Sequence, residues 1–444
     1  MSIDISSGIT LRKKKGLKTD YKADKIRKDV QSGGEALGKR VTVVGGGASG
    51  LVAAIAAARQ GAEVTIIEHK SCVGKKLLST GNGRCNLTNL SLTKECYHCS
   101  QQGFPMKVLN RFGVEDTLAF FGELGLMTKS KNGYVYPNSE QAAAVLDLLN
   151  LELERRHIRV LLNCEIEQPL QKVRGRFLAR TSQGNISSDA LILAAGSQAA
   201  PVTGSDGSGY QLTRNFGHRI FPPLPALVQL RCSGKYFKQL AGVRCEARVA
   251  LYGKERLLAS DTGEVQLTDY GISGIPTFQV SRFASRSLSE GKDVRAVLDF
   301  MPAMSRTDVK LFLKHRAELL PDMKCRDFLT GIFHKKLALV LVKLAGIPTE
   351  QPAGRVTDTS WEQLLNRIKS FEATVTATNS FDQAQVCCGG ADTREVVPET
   401  LESRLVPGLY LAGELLDVDG CCGGYNLQWA WSTGYLAGMD AGSE

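Results

Sequence analysis

RVTVVGGGASGLVAAIAAARQGAEVTIIE, residues 40–68, is the stretch from which the fold is read. It opens as a buried strand, RVTVV, that runs straight into Gly45-Gly46-Gly47-Ala48-Ser49-Gly50. LVAAIAAARQ follows as an alanine-rich helix whose small side chains permit close packing, and Gly61 is placed to cap its end. A second strand, 63–68, closes on an acid. Strand, G-x-G-x-x-G, helix, strand and acid in that order make a dinucleotide-binding unit. Gly45 allows the tight turn, Gly47 lets a pyrophosphate approach the backbone, and Gly50 brings helix against strand. Ala48 and Ser49 open the helix, whose free N–H groups face the phosphates. Glu68 lies 18 residues beyond Gly50, near the spacing of about 20 expected of a carboxylate that binds ribose hydroxyls and repels a 2′-phosphate.

NAD and FAD share the ADP half, so this unit does not distinguish them. Two other stretches reach toward the second half of a dinucleotide. GKKLLSTGNGRCNLTN, residues 74–89, leaves the second strand where the chain would pass along a cofactor, and its glycines at 74, 81 and 83 allow backbone amides to approach a ligand. GLYLAGELLDVDGCCGGYNLQWAWSTGYLAG, residues 408–438, reads as a short strand, Gly413-Glu414, a glycine-rich turn and a helix over about 426–437. Its helix start, Gly424 to Leu427, would set partial positive charge where a reduced flavin carries negative charge. Trp429 and Trp431 read as packing residues. Between these stretches, ALILAA at 190–195 is a return strand ending on Gly196. After a helix over about 140–157, the segment 158–166, ending on Ile166, is a candidate strand near the adenine.

At 444 residues, two or three domains are expected. The composition, 43% hydrophobic and 23% charged, is that of a globular protein. No apolar run is long enough to span a bilayer and no signal-peptide pattern opens the chain, so a soluble, cytoplasmic protein is expected. The net charge of +10 is concentrated in the first 40 residues, which hold a surplus of six cations. Residues 1–38 therefore read as a solvated, poorly ordered tail rather than a nucleic-acid interface. The 12 cysteines fit reduced thiols. Cys96-Tyr97-His98-Cys99 lacks the second pair that a four-ligand zinc site needs, so no metal is expected. There is no P-loop and no G-x-S-x-G, and the six histidines are dispersed, which argues against a kinase or hydrolase.

GGGASG at 45–50, the stretch 74–89, GEVQLTDYGISG at 263–274 and AGELLDVDGCCGGYNLQWAWSTG at 412–434 together resemble the NAD(P)/FAD-dependent, or aminoacetone-oxidase-like, flavoprotein oxidoreductases. The resemblance runs from about residue 40 to the end. It implies a non-covalent FAD in a two-dinucleotide-binding-type, Rossmann-like α/β fold, and a family that includes bile-acid reductases acting on ring double bonds of 3-oxo substrates. Carried over by motif, Gly45, Gly47, Ala48, Ser49 and Gly50 would hold the pyrophosphate and Glu68 the adenosine ribose. Lys76, Thr80, Gly83, Arg84 and Asn86 would line the ribityl and ring side, with Gly413, Glu414, Gly424, Asn426 and Leu427 closing the pocket. Ile166 and Gly196 complete the expected cofactor set.

The middle of the chain reads mostly as strands over 226–301 and as helices over 305–371, followed by a return strand FEATVTAT. The expectation is a discontinuous FAD domain, 39–225 with 380–444, and an inserted barrel-like and helical substrate domain, 226–379. NADH or NADPH would dock only transiently, because no second G-x-G-x-x-G exists. Hydride would pass from reduced FAD to an enone carbon, with Tyr425, Tyr270 and Arg84 as candidate donors. The partner is a small molecule, with no nucleic acid and no membrane, and the oligomeric state is open. Alternatives are an amine or aminoketone oxidase, an RNA-modifying flavoprotein prompted by the basic tail, and thiol chemistry at Cys85 or Cys421-Cys422.

Overall fold

The computed structural model describes residues 38–167 and 169–443. A five-stranded parallel sheet lies at its centre, in the order Leu409–Leu411, Ala190–Leu193, Arg40–Val44, Glu63–Ile67, Arg159–Leu161. These strands are short and almost wholly apolar because helices cover the sheet. The helix Ala48–Arg59 has nine consecutive buried residues, from Ser49 to Ala57, so it is an interior helix rather than an amphipathic one.

The last helix, Tyr425–Gly442, lies against that first helix. Its glycines recur every fourth residue and meet the first helix's backbone every fourth residue. A Cβ on Gly434 would stand 2.2 Å from the Ser49 carbonyl oxygen, one on Gly438 2.2 Å from that of Ala53, and one on Gly442 2.7 Å from that of Ala57. Only glycine permits this approach. It carries Trp429 and Trp431 into the core, where Trp429 Nε1 donates to the Gly413 carbonyl at 3.1 Å and Trp431 Nε1 to that of Leu87 at 2.9 Å. The packing role expected of both tryptophans is the one observed.

The chain leaves for the barrel along Ile220–Ala226 and returns along Val386–Ala391, and these two segments pair antiparallel. Between them, six antiparallel strands close into a barrel, in the order Leu230–Cys232, Gly271–Gly274, Arg256–Leu267, Arg244–Gly253, Val294–Asp299, Phe371–Thr378. It has its own hydrophobic core, shared with the helices Arg306–Leu319, Lys335–Leu344 and Asp358–Lys369. The expected α/β fold with a barrel and helical insertion is therefore present. FEATVTAT is a strand over the residues expected. The tail reading falls outside the described residues except at Gly38.

One long element departs from the expectation of strands over 226–301. Ile275–Ser289 is a helix. Its buried face carries Thr277, Ser281, Arg282 and Ser285 beside Val280 and Ala284, so apolar periodicity is weak. The hydroxyls bond to nearby backbone: Ser281 Oγ donates to the Phe278 carbonyl at 2.7 Å and Thr277 Oγ1 to that of Ser273 at 3.1 Å. Arg282 makes a bidentate pair with Asp419, at 2.7 and 3.1 Å, tying this helix to the strand Val418–Gly420. Both partners are buried. His98 lies edge-on to Phe283 beside them, and burial with the nearby Arg282 and Arg286 charges pushes its pKa down to about 4, so it is neutral at pH 7.

Two outcomes follow. Gly438→Ala should lower stability by about 1–3 kcal/mol through overpacking against Ala53, read as a drop in the unfolding midpoint. Arg282→Met, which strands a buried carboxylate, should cost about 3–5 kcal/mol, and adding Asp419→Leu should restore most of it. Denaturant titration of the three proteins measures both differences.

Candidate functional site

The N-terminal turn has the geometry its glycines require. Gly45 has φ +103°, its N–H donates to Ile67 at 2.9 Å, and a Cβ there would meet the Ala194 carbonyl at 2.5 Å. Gly50 packs so closely that a Cβ would lie 1.9 Å from the Gly45 carbonyl. Gly47 differs from both. Its φ is −80°, and apart from its own chain neighbours no protein atom lies within 4 Å of where its Cβ would be. Nothing inside the protein demands glycine there, and the open space is the cavity itself. Gly47 is also the N-cap and offers no side chain to the first helix, so the amides of Ala48, Ser49 and Gly50 lack the side-chain cap that would occupy them. A carboxylate sits beside the turn: Glu68 accepts from the Gly46 and Lys70 N–H groups, each at 2.8 Å.

Gly45 to Ser49 and Glu68 line one cavity of about 980 Å³. It runs from Gly45, Gly47, Ala48, Ser49 and Glu68 past Ile166 and Gly196 to Lys76, Thr80, Arg84, Asn86, Glu414, Gly424, Asn426 and Leu427. The stretches 74–89 and 408–438 thus meet in space. Lys76 Nζ donates to Glu414 Oε2 at 2.7 Å, which also accepts from Ser197 Oγ at 2.9 Å. Thr88 bonds Gln428, and Asn89 Nδ2 donates to the Gly423 carbonyl at 2.9 Å. Three expected cofactor residues do not line the cavity: Gly50 and Gly413 are buried behind its wall and Gly83 is exposed on the turn. Gly413 donates its N–H to Thr433 Oγ1 at 2.9 Å and so braces the final helix. Asn86 and Asn426 spend their amides on neighbouring backbone, Asn86 between Thr88, Val135 and Gly424, Asn426 on Gly420.

The candidate donors separate. Arg84 lines the cavity with its guanidinium over the Tyr136 ring, 5.4 Å from the centroid. Tyr425 and Tyr270 do not reach it. Tyr425 Oη donates to the Ser91 carbonyl at 3.0 Å, on the far side of the helix start, and Tyr270 Oη accepts from Asn379 Nδ2 at 3.1 Å beside the barrel. A residue's neighbours in sequence do not determine which way its side chain leaves the backbone at a left-handed glycine such as Gly424, φ +95°. Sequence reading missed Tyr134 and Tyr136, which line the cavity from the strand Tyr134–Pro137. The Y-V-Y alternation, with Val135 buried between them, is the signal that carried this.

Thiol chemistry is disfavoured. Burial pushes Cys85 and Cys422 up to about 12 and Cys421 up to about 11, so all three are protonated at neutral pH. Away from the cavity, His218 lies between Glu395, 3.0 Å from Nδ1, and Ser403, 2.8 Å from Nε2. This resembles a hydrolase triad in distance alone. Ser403 Oγ already accepts from the Leu405 and Val406 N–H groups, and both Ser403 and His218 are buried, so no substrate reaches it.

The family model described as "HI0933-like protein Rossmann domain" matches residues 39–440. The chain belongs to the HI0933-like family. Among curated proteins, it is 49% identical over 404 residues to the 3-dehydro-bile acid delta(4,6)-reductase of Clostridium scindens, covering 90% of this chain and 98% of that one. It is 29% identical over 405 residues to the ribosomal RNA dihydrouridine synthase of Haemophilus influenzae, covering 89% and 97%. Among solved structures, a 3-ketosteroid-delta4-(5alpha)-dehydrogenase from Rhodococcus jostii RHA1 aligns over 91% of this chain and 97% of that one, at 15% identity and a TM-score of 0.45. The motif resemblance and the HI0933-like match name the same Rossmann flavoprotein group.

Gly47 provides the sharpest test of the site. Gly47→Val places a side chain in open cavity, so the unfolding midpoint of the cofactor-free variant should stay within a degree or two of cofactor-free wild type, a shift smaller than a typical 1 kcal/mol change would make. The purified variant should nevertheless lose its dinucleotide, read as the ratio of visible to ultraviolet absorbance.

Proposed function

We propose that this protein reduces a conjugated C=C bond in a 3-oxo steroid or bile-acid-like enone, drawing electrons from NADH or NADPH through FAD held in the cavity. The chain is an FAD-dependent oxidoreductase of the HI0933-like family, and its 49% identical relative is named a reductase. The observation that carries the substrate reading is the far wall of the cavity. Leu227, Ile275, Phe278 and Val386 line it, and Ile275 is left 56% exposed although apolar. Such a surface suits a flat, apolar, polycyclic molecule better than a sugar-phosphate chain.

The residues present fit FAD. Gly47 leaves the cradle a pyrophosphate needs, and the amides of the first helix's start would bind it. Glu68 would take the ribose hydroxyls, and Lys76, Ser197 and Glu414 the ribityl side. When bound, FAD supplies hydride chemistry that no side chain can. The protein's own task is to orient the enone, exclude water along the Ile275 and Phe278 wall, and offer hydrogen-bond donors to the carbonyl oxygen as charge develops there. Segments 39–225 and 380–444 would form the cofactor-binding part and 226–379 the substrate cap. NADH or NADPH docks transiently over the same cavity. Among the described residues no helix is long and apolar enough to cross a membrane, and with all 12 cysteines free we place the protein in the cytoplasm.

A second reading has one observation behind it, the 29% identical relative that acts on ribosomal RNA. Dihydrouridine is uridine whose C5=C6 bond, conjugated to the C4 carbonyl, has been reduced. The two relatives' products therefore differ in scaffold more than in the bond that changes.

Anaerobic mixing with NADH or NADPH and then a 3-oxo-4-ene steroid or oxidised bile acid tests the proposal. The flavin absorbance should bleach and then return as the steroid is consumed. Bleaching by amines with no steroid turnover would favour an oxidase, and dihydrouridine appearing in unmodified ribosomal RNA with no steroid turnover would favour the second reading.

A further inference from the structure

Tyr134 lines a part of the cavity wall that none of the expected cofactor residues supplies. It lies on the strand Tyr134–Pro137, which pairs with Thr88–Asn89 on one side and Thr128–Lys131 on the other. Its ring rests on Gly423, immediately before the final helix: a Cβ at Gly423 would stand 2.6 Å from Tyr134 Cε1. Gly423 has φ +119°, and its carbonyl is fixed by Asn89 Nδ2, so both sides of this contact are held by the fold. Cys422 and Gly423 line the cavity together with Tyr134.

The hydroxyl is the informative atom. Tyr97, Tyr410 and Tyr425 each donate to a protein acceptor. Tyr134 Oη is not buried, and it has no hydrogen-bond partner among the described residues. A phenol on a cavity wall, with a pinned ring and an uncommitted hydrogen, is a preorganised donor. Partial burial, together with Cys422, Tyr136 and Asp261, holds its pKa above the usual tyrosine value, so the hydrogen stays in place across the neutral range. Asp261 comes from the barrel, so the phenol stands where barrel and sheet-side residues meet at the cavity. Tyr136, on the same face two residues on, is covered by the Arg84 guanidinium and lies near Gly81, toward the 74–89 turn.

We propose that Tyr134 is a catalytic residue whose hydroxyl donates a hydrogen bond to the substrate's carbonyl oxygen, stabilising the enolate that forms when hydride adds to the β-carbon. This rests on the enone-reductase reading above. The C=C π bond breaks, one C–H bond forms at the β-carbon with hydride from the reduced flavin, and the electron pair moves onto oxygen. A solvent proton then reaches the α-carbon. Tyr134 keeps its own proton throughout.

The test compares wild type, Tyr134→Phe and, as a control on a barrel strand away from the cavity, Tyr252→Phe, all as FAD-loaded proteins, with unfolding midpoint and visible spectrum confirming that each variant folds and retains flavin. A 3-oxo-4-ene steroid is first titrated into the oxidised proteins, where no turnover occurs. A donor at the ketone red-shifts the enone absorption band. Wild type and Tyr252→Phe should show that shift and Tyr134→Phe should lose it. The rate at which the steroid reoxidises the reduced flavin should then fall about 10²–10³-fold in Tyr134→Phe, the usual cost of one lost oxyanion donor, while flavin reduction by NADH or NADPH is unchanged. A Tyr134→Phe protein that keeps both the shift and the rate overturns this role and leaves the reductase reading standing. A wild type that neither shifts nor reduces any 3-oxo-4-ene steroid overturns both.

Discussion

The close crossing of the first and last helices is the constraint on which the rest depends. Backbone meets backbone along Ser49, Ala53 and Ala57 on one side and Gly434, Gly438 and Gly442 on the other. Such an approach needs residues without side chains at every fourth position of one partner and small ones on the other. Because the two helices belong to opposite ends of the chain, their contact decides where the turn at Gly47 and the helix start at Gly424 stand relative to each other. A cavity about 980 Å³ in volume lies between them.

Polar contacts then fix the register of what the helices bring together. Lys76 with Glu414, Thr88 with Gln428 and Asn89 with the Gly423 carbonyl each join residues more than 300 positions apart. Being part-buried or buried, they are worth more than equivalent surface pairs, and each would leave an unsatisfied group if broken. On the barrel side, Arg282 and Asp419 perform the same service. The helix Ile275–Ser289 is held by that ion pair at one point and presents Ile275 and Phe278 to the cavity at its start. Anchoring the substrate wall by a buried charge pair gives it one orientation, a specificity that apolar packing of a polar-faced helix would not supply.

Much of this was legible in the residues. A central sheet covered on both faces produces short unbroken apolar strands, and RVTVV and ALIL are such strands. Turns that need left-handed backbone betray themselves by glycine, as at Gly45 and Gly424. FEATVTAT alternates because one face of a barrel strand is buried and the other is not. The helix Ile275–Ser289 was not legible, because its buried face is largely hydroxyl and guanidinium, and beside their local bonds Ser281, Ser285 and Arg282 pair with Val228, Pro225 and Asp419 in other segments. Tyr425 and Tyr270 looked like donors because they sit inside conspicuous motifs, yet neither lines the cavity: Tyr425 Oη donates to the Ser91 carbonyl and Tyr270 Oη accepts from Asn379.

By itself the sequence determined that a G-x-G-x-x-G turn opens the described fold, that the stretches 74–89 and 408–438 belong to one site, which proves to be one cavity, and that a barrel and helices stand between them. These follow from local chemistry: glycine's backbone freedom, the period of apolar residues and the spacing from Gly50 to Glu68. Only the tertiary structure decided which side chains face the cavity, where the apolar wall lies, and that the Tyr134 phenol stands on that wall without a partner among the described residues. Direction and hydrogen-bond saturation depend on neighbours distant along the chain, and no local pattern encodes them.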